Sequence, residues 1–264
     1  MNIVQLSDTH FGTEVSAVAT ALLQCLRAQS IDLLILSGDI TQRARRAQFR
    51  AARAFIDALA VPVVVVPGNH DIPLFDLPRR LFSPYGYYAA HFGRDLQPVF
   101  ENDRVLVIGV DATRRYRHID GQIDARQVDA VARRLQRTAP HKIRMVVAHH
   151  PFDVVAASDE KNLVRGAGAA LHRWAQHGLD LVLGGHIHYP FARPLRARYP
   201  ELPGEAWVAQ AGTAISWRVR PGSPNSFIRL VLGEHRAALH IERWDYDSSF
   251  SEFFCVETHR PWSS

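Results

Sequence analysis

Asp8-Thr9-His10, Gly38-Asp39, Gly68-Asn69-His70-Asp71, His149-His150-Pro151 and Gly185-His186-Ile187-His188 are five short segments rich in metal-binding side chains. Carboxylate and amide oxygens suit hard divalent ions, and imidazole suits iron, zinc and nickel. Asp8, Asp39 and Asn69 supply the first kind; His10, His149, His186 and His188 supply the second. Such a mixed set predicts two metal ions. Held ~3.5–4 Å apart, two metals polarise a phosphoryl group and lower the pKa of a shared water. A carboxylate between the cations offsets their repulsion, and Asp39, in the middle of the series, is the candidate. Asn69 can ligate only through its amide oxygen and adds no charge. The spacing has a local reason. In an extended segment residues i and i+2 point the same way, so Asp8 with His10, and His186 with His188, each aim two side chains at one cavity. Gly38, Gly68 and Gly184-Gly185 let the backbone turn sharply beside the cluster. Taken singly these residues are ordinary: Asp8 reads as a cap, and Gly68-Asn69 as a turn. Five segments in order, each closing an apolar β-prone run, are far more specific.

Those runs alternate with helical patterns. Residues 2–6, Ile31–Leu36 and Val61–Val66 read as strands, with helices at Val15–Gln29 and Arg45–Leu59 between them. The alternation predicts a parallel sheet. Residues 72–103, with Pro73, Pro78, Pro84, Pro98 and several aromatics, read as a loop-rich insertion with short helices over the site. Arg104–Val110, Ile143–Ala148 and Leu179–Leu183 read as further strands. Asp124 is the expected N-cap of a helix running to about Thr138, and Ala167–His177 a helix with Leu171 and Trp174 facing inward. From about residue 206 the chain turns β-rich: Ala206–Ala211, Phe227–Leu232 and Ala237–Trp244 are expected to pair antiparallel. Residues 245–264 carry no clear pattern. No cut between residues 8 and 188 leaves a working half of the motif, so residues 1–264 are expected to form one domain, a mixed α/β sandwich with helices outside two packed sheets.

The pattern D-x-H … G-D … G-N-H-[D/E] … H … G-H-x-H is complete here, and with it the chain resembles the calcineurin-like metallophosphoesterase superfamily over about residues 3–190. The resemblance implies a four-layer α/β/β/α sandwich of two mixed sheets, with a dinuclear site at strand C-terminal ends. By position it assigns Asp8, His10 and His188 to one metal, Asn69, His149 and His186 to the other, and Asp39 to the bridge. It makes His70 the catalytic partner, touching the phosphate with Asn69 and assisting the leaving group. The family's H-x-P form selects His149 over His150 as ligand, leaving His150 to line the pocket. Within the superfamily the chain is similar to the class III cyclic-nucleotide phosphodiesterase branch, through Gly38-Asp39-Ile40-Thr41, Asn69-His70-Asp71 and His149-His150-Pro151. It departs from that branch where Gln42-Arg43-Ala44-Arg45-Arg46 replaces a Gly-containing stretch. There Arg43 either reaches a substrate phosphate or belongs to an exposed first helical turn.

The expected activity is therefore dinuclear, metal-dependent hydrolysis of a small anionic phosphodiester, such as a cyclic nucleotide or glycerophosphodiester. The expected metals are manganese, iron or zinc, or a mixed pair, with no organic cofactor. Ser7, Thr41 and Asp71 are candidate partners of the ligands. The formal charge of +5 is carried by arginine, since only Lys142 and Lys161 are lysines. It fits an anionic substrate without naming one. Arg114, Arg115, Arg117, Arg218 and Arg220 are candidates for a basic rim. His91, His118, His141 and His172 have no motif context. A repair-type DNA exonuclease would share the metal motif, but no basic stripe with interleaved aromatics supports a nucleic-acid partner. A lipid-linked pyrophosphate hydrolase would need an apolar surface, for which Phe75, Leu77, Leu81, Phe82, Tyr85, Tyr87 and Tyr88 are candidates if they do not simply pack the insertion. A non-enzymatic scaffold of the same fold would be expected to have lost ligands, and here every position is filled. No signal sequence is visible, no apolar run reaches the ~18 residues of a membrane span, and Cys25 and Cys255 form no disulfide framework. The expectation is a cytoplasmic protein, with a homo-oligomer among the states it can take.

Overall fold

The computed structural model describes residues 1–262. The elements run β1 (Asn2–Leu6), α1 (Ser16–Ala28), β2 (Leu33–Ser37), α2 (Arg46–Asp57), β3 (Val63–Val66), α3 (Leu77–Phe82), α4 (Gly86–Phe92), β4 (Val99–Glu101), β5 (Val105–Gly109), α5 (Ala125–Arg137), β6 (Ile143–Val147), α6 (Ala167–Ala175), β7 (Leu181–Gly184), β8 (Phe191–Pro194), β9 (Trp207–Gln210), β10 (Ser226–Leu232), β11 (Leu239–Asp247) and β12 (Glu252–His259). One sheet has the order β12-β11-β10-β1-β2-β3 and the other β4-β5-β6-β7-β9-β8. Both are mixed: β1, β2 and β3 pair in parallel, as do β5, β6, β7 and β9, while β4, β8, β10, β11 and β12 join antiparallel.

Period-2 side-chain alternation explains the layering. Ile3, Leu33, Ile35, Val64 and Val66 of the first sheet meet Val105, Val107, Met145, Val147, Leu181 and Leu183 of the second. Their neighbours face outward: Val4, Leu34, Leu36 and Val65 pack with α1, α2 and Tyr88 of α4, and Leu106, Ile108, Val146 and Val182 pack with α5 and α6. The result is the four-layer α/β/β/α sandwich. Each fully buried Val, Leu or Ile stabilises it by about 1.5–3 kcal/mol. Gln5 is the polar pin in the middle layer, its amide donating to Ser37 Oγ at 3.0 Å and to the Gly184 carbonyl at 2.8 Å, one on each sheet.

Asp124 caps α5 as expected: its side chain accepts from the Gln127 amide while Gln127 Oε1 accepts from the Asp124 amide. Leu171 and Trp174 are buried. The C-terminal pairing corrects one expectation. Strands β10 and β11 do pair antiparallel, but β9 belongs to the other sheet, parallel to β7 and antiparallel to the unforeseen β8. Residues 207–210 are buried on both faces, and that pattern does not choose a partner. Much of 245–262 is strand β12; Ser263 and Ser264 lie outside the described residues. The insertion contains β4 as well as α3 and α4. Its tyrosines pack, with Tyr88 OH donating to the Val65 carbonyl at 2.8 Å. Phe75, Leu77, Leu81 and Phe82 do not: they are 54–81% exposed. Both cysteine thiols are free, Cys25 half-buried and Cys255 exposed. Among the described residues no helix is long and apolar enough to cross a membrane.

Candidate metal centre

The five segments all lie just past the carboxyl ends of parallel strands, with Asp8 after β1, Asp39 after β2, Asn69 after β3, His149 after β6 and His186 after β7. The two sheets bring these ends to one seam. His186 N donates to Asp8 Oδ2 at 2.9 Å, and the His149 ring reaches the Ser37 carbonyl at 2.9 Å, each across the seam. The i, i+2 geometry arises differently from the extended pleat expected. Asp8, His10, Asp39, His186 and His188 have φ of 51°, 43°, 46°, 74° and 55°. Left-handed backbone at non-glycine residues is costly and persists where the surroundings over-determine it. Here successive left-handed turns, not pleating, aim alternate side chains into the cavity. The glycines act mostly by close approach. Of Gly38, Gly68, Gly184 and Gly185, Gly38 combines a positive φ (88°) with crowding, since a Cβ there would lie 2.6 Å from the His149 ring; at Gly68 a Cβ would overlap the Asp39 amide and carboxylate.

Two clusters result. In one, Asp8 Oδ1 lies 3.1 Å from His188 Nε2 and 3.7 Å from His10 Nε2, and the two imidazole nitrogens are 3.3 Å apart. In the other, His149 Nε2 lies 3.2 Å from Asn69 Oδ1, 3.3 Å from His186 Nδ1 and 3.3 Å from Asp39 Oδ1. The second Asp39 oxygen faces the first cluster, 3.8 Å from His10 Nε2. Backbone carbonyls orient the rings. Ser37 O accepts a hydrogen bond from His149 Nδ1–H and Arg218 O one from His188 Nδ1–H, which leaves each Nε2 lone pair for a cation. Ser7 Oγ donates to Asp8 Oδ2 at 2.7 Å. Asp71 is not a partner of a ligand histidine; it accepts from the Ile40, Thr41 and Gly68 amides and from Thr41 Oγ1, tying the Asp39 loop to the Asn69 loop.

The electrostatics fit cations. Asp8 Oδ1 is buried with no aligned hydrogen-bond donor. Burial alone would raise the Asp8 and Asp39 carboxyls, but the histidines around them hold both below the usual range. Burial alone would lower His149, yet Asp39, then Asp8 and the Ser37 carbonyl, push it up to about 9. His188 is raised likewise against burial, chiefly by Asp8. Burial wins at His10, pushed down to about 3, and at His186. Each cluster thus pairs a carboxylate with one imidazole that holds a proton and one that does not, and the proton occupies the place of a metal charge. The donor set of three oxygen-bearing side chains and four imidazoles suits divalent transition metals.

This has a measurable sign. Because the His149 pKa is higher folded than unfolded, its contribution to the stability of the metal-free protein is full below about pH 6.5 and is lost as pH rises through about 9. Chelator-treated protein should therefore melt at a lower temperature at about pH 8.5 than at about pH 6.5, and Mn²⁺ should raise the Tm more at the higher pH, where fewer protons compete. A larger Mn²⁺ effect at the lower pH would contradict this electrostatic account.

His70 lies at the mouth, its ring centroid 4.9 Å from that of His10 and its nitrogen within reach of Asp39. Its Nδ1 lies 2.9 Å from the Gln42 carbonyl, and its Nε2 lies 4.0 Å from Asp39 Oδ2 and 3.4 Å from Arg218 Nη1. Arg218 is anchored by Gln42 Oε1 at 2.9 Å. Of the arginines singled out in the sequence, Arg218 is the one held against His70, brought there by a loop that pairs with the segment after β1 (Ala214 N to Ser7 O, Trp217 N to Thr13 O). Arg220 instead pairs with Asp159, and Arg114 with Gln127 and Asp124. Arg43 is exposed and lies over the Phe75 ring. His150 is fully buried behind His186, with its Nε2 against the Ile119 carbonyl, so it faces no open surface. Burial, then the charges of His70, Arg80 and Arg43, lower the His118 imidazole. That histidine therefore lies within electrostatic reach of the site, and no local signal in the sequence marks it.

Two packed mixed sheets with a histidine- and aspartate-rich seam are the architecture of the metal-dependent phosphoesterases. Residues 1–190 match the calcineurin-like phosphoesterase family, and the chain belongs to that family, which is hydrolytic and binds divalent metals. It is 27% identical over 242 residues to a probable cyclic nucleotide phosphodiesterase of Synechococcus sp., covering 83% of this chain and 90% of that one. It is 25% identical over 201 residues to a probable glycerophosphodiester phosphodiesterase of Arcobacter nitrofigilis, covering 71% and 72%. In fold it resembles a dimetal phosphatase from Danio rerio, with a TM-score of 0.68 at 16% identity over 100% of this chain and 99% of that one.

Proposed function

We propose that the protein is a phosphodiesterase acting on a small diester of the cyclic-nucleotide or glycerophosphodiester kind, with manganese, iron or zinc at Asp8, His10 and His188, at Asn69, His149 and His186, and with Asp39 between them. The observation that carries the reading is the pair of histidine clusters sharing Asp39, with His70 and Arg218 set together at their mouth. The names of the relatives support a diester. The metals would supply Lewis-acid polarisation of the phosphoryl group and a water of lowered pKa. The chain's own residues supply the rest. Gln42 O holds the Nδ1 proton of His70, so Nε2 faces the reacting atoms. At rest Nε2 accepts from the Arg218 guanidinium. A phosphoryl oxygen that draws Arg218 onto itself frees Nε2 to take up a proton and deliver it to the leaving oxygen.

Hydrolysis of cyclic nucleotides, glycerophosphodiesters and bis(p-nitrophenyl) phosphate by Mn²⁺-loaded protein, compared with monoesters, single-stranded DNA and nucleotide-linked lipids, tests the reading. Strong monoesterase activity with none on any diester would overturn it. The exposed Phe75, Leu77, Leu81 and Phe82 keep the lipid-linked pyrophosphate in that panel. Replacing Arg218 with alanine should lower kcat/KM by about 10–100-fold, the ~1.5–3 kcal/mol of a charge-assisted contact, and leave metal content intact, because His188 uses only the Arg218 backbone carbonyl. Guanidinium added to that variant should restore part of the rate.

A further inference from the structure

Beside His70 lies a cavity of about 350 Å³ that the proposed reaction does not use. Its lining includes Arg43, Arg45, Arg46, Phe75, Arg79 and Tyr87. The volume lies within the ~300–1,000 Å³ typical of small-molecule sites. Its first wall begins at Arg43, directly after Gln42, which holds both His70 and Arg218; its second begins at Pro73, two residues after Asp71.

The charge in this cavity is unbalanced. Asp76 is its one lining carboxylate, and Asp76 is committed to Arg79 at 3.1 Å and to the amide that opens α3. Among the described residues no carboxylate stands within ion-pair distance of Arg43, Arg45 or Arg46. Three like charges in four residues repel one another, and the arrangement is relieved by a phosphate, whose oxygens guanidinium forks bind in pairs. Two aromatic faces stand beside them. Arg79 lies over Tyr87 at 4.2 Å and Arg43 over Phe75 at 5.5 Å, and Phe75 is 77% exposed. An exposed ring next to guanidinium planes is a stacking platform for a planar base. Arginines solvated on an exposed helix start would account for the charges, but not for the two rings gathered with them around one open cavity adjoining the site.

We propose that this cavity is a second anion subsite that receives a nucleotide's phosphate and base, so that the preferred diester is a linear one carrying a second phosphate. A 3′,5′-cyclic nucleotide has a single phosphate, which the metal clusters would take, leaving the three arginines unmatched. A 5′-phosphorylated dinucleotide such as pApA fills both. Hydrolysis is then balanced simply: water's oxygen bonds to phosphorus, the P–O bond to the leaving ribose oxygen breaks, that oxygen gains a proton, and two AMP molecules result. The inference rests on the phosphodiesterase reading and moves its substrate from the cyclic-nucleotide and glycerophosphodiester kinds to a phosphorylated dinucleotide.

The test compares kcat/KM for pApA, 3′,5′-cyclic AMP and bis(p-nitrophenyl) phosphate on Mn²⁺-loaded wild type and on the Arg43→Ala/Arg46→Ala variant, and measures AMP binding to both proteins and to Phe75→Ala by calorimetry without metal. Wild type should favour pApA over cyclic AMP at least tenfold. The ratio of pApA to bis(p-nitrophenyl) phosphate, taken within one preparation so that any loss of folded protein cancels, should fall at least tenfold in the variant. AMP affinity should fall at least tenfold in the variant and at least fivefold in Phe75→Ala. Equal ratios in wild type and variant, or preference for cyclic AMP, would overturn the subsite. If no diester is hydrolysed at all, the phosphodiesterase reading fails, and AMP binding alone then decides the subsite: affinity unchanged by the substitutions rejects it.

Discussion

Replacing Asp39 with alanine should strip the protein of metal and abolish phosphoester hydrolysis together. Asp39 is the one carboxylate with an oxygen toward each cluster, Oδ1 at 3.3 Å from His149 Nε2 and Oδ2 at 3.8 Å from His10 Nε2. It also accepts the His70 amide at 2.8 Å, so the same residue sets the height of the catalytic loop. Without its charge, four imidazoles and an amide would face two dications with only Asp8 to offset their repulsion. Since the metals supply several kcal/mol of charge stabilisation, at about 1.4 kcal/mol per decade the expected loss in kcat/KM is about 10³-fold or more. Metal content by elemental analysis should fall below two ions per chain in the same preparation. A variant that retained two metals and a near-normal rate would remove Asp39 from the bridge. His149, raised to about 9 by this carboxylate, should titrate lower in the variant.

His70→Ala should separate what Asp39→Ala joins. His70 is the one histidine of its segment group that reaches the cluster from the mouth, 4.0 Å from Asp39 Oδ2 and partly open to solvent. No candidate ligand depends on its ring for orientation. Both metals should therefore remain at wild-type occupancy while kcat falls about 10²–10⁴-fold, the range for loss of a positioned proton donor. The loss should be smallest for diesters with acidic leaving groups such as nitrophenol, which need no proton, and largest for alkyl diesters. A uniform loss across leaving groups would assign His70 to phosphate binding instead, and loss of metal would make it a ligand.

Most of the strand and helix order was readable because its causes are local. Val63–Val66 is a run of β-branched residues closed by Pro67-Gly68, and Asp124 with Gln127 forms a capping box within four residues. The sites of the five segments follow from the same signals, since each begins where an apolar run stops. Strand partners were less readable. Residues 207–210 are buried on both faces, and such a run fits the middle of either sheet; its choice of β7 depends on β8 returning antiparallel beside it. The aromatics of the insertion looked alike as a list, yet Tyr88 is fully buried with its hydroxyl on Val65 O while Phe82 stands in solvent, because α4 packs on α2, where Phe49 meets Tyr88 and Phe92.

By itself the sequence determined the alternation of strands and helices, the family, and the chemical types available at the seam. Those properties are written in residue type, period and short-range spacing. The tertiary structure decided which oxygens and nitrogens meet, that five of the candidate ligands adopt left-handed backbone, and that Arg218 alone of the rim arginines joins His70 across 148 residues of chain. It also gathered Arg43, Arg45 and Arg46 with Phe75 and Tyr87 around one open cavity. The physical reason is that each of these depends on how the two sheets stack and which loops their carboxyl ends bring together, and no residue's own propensity carries that information.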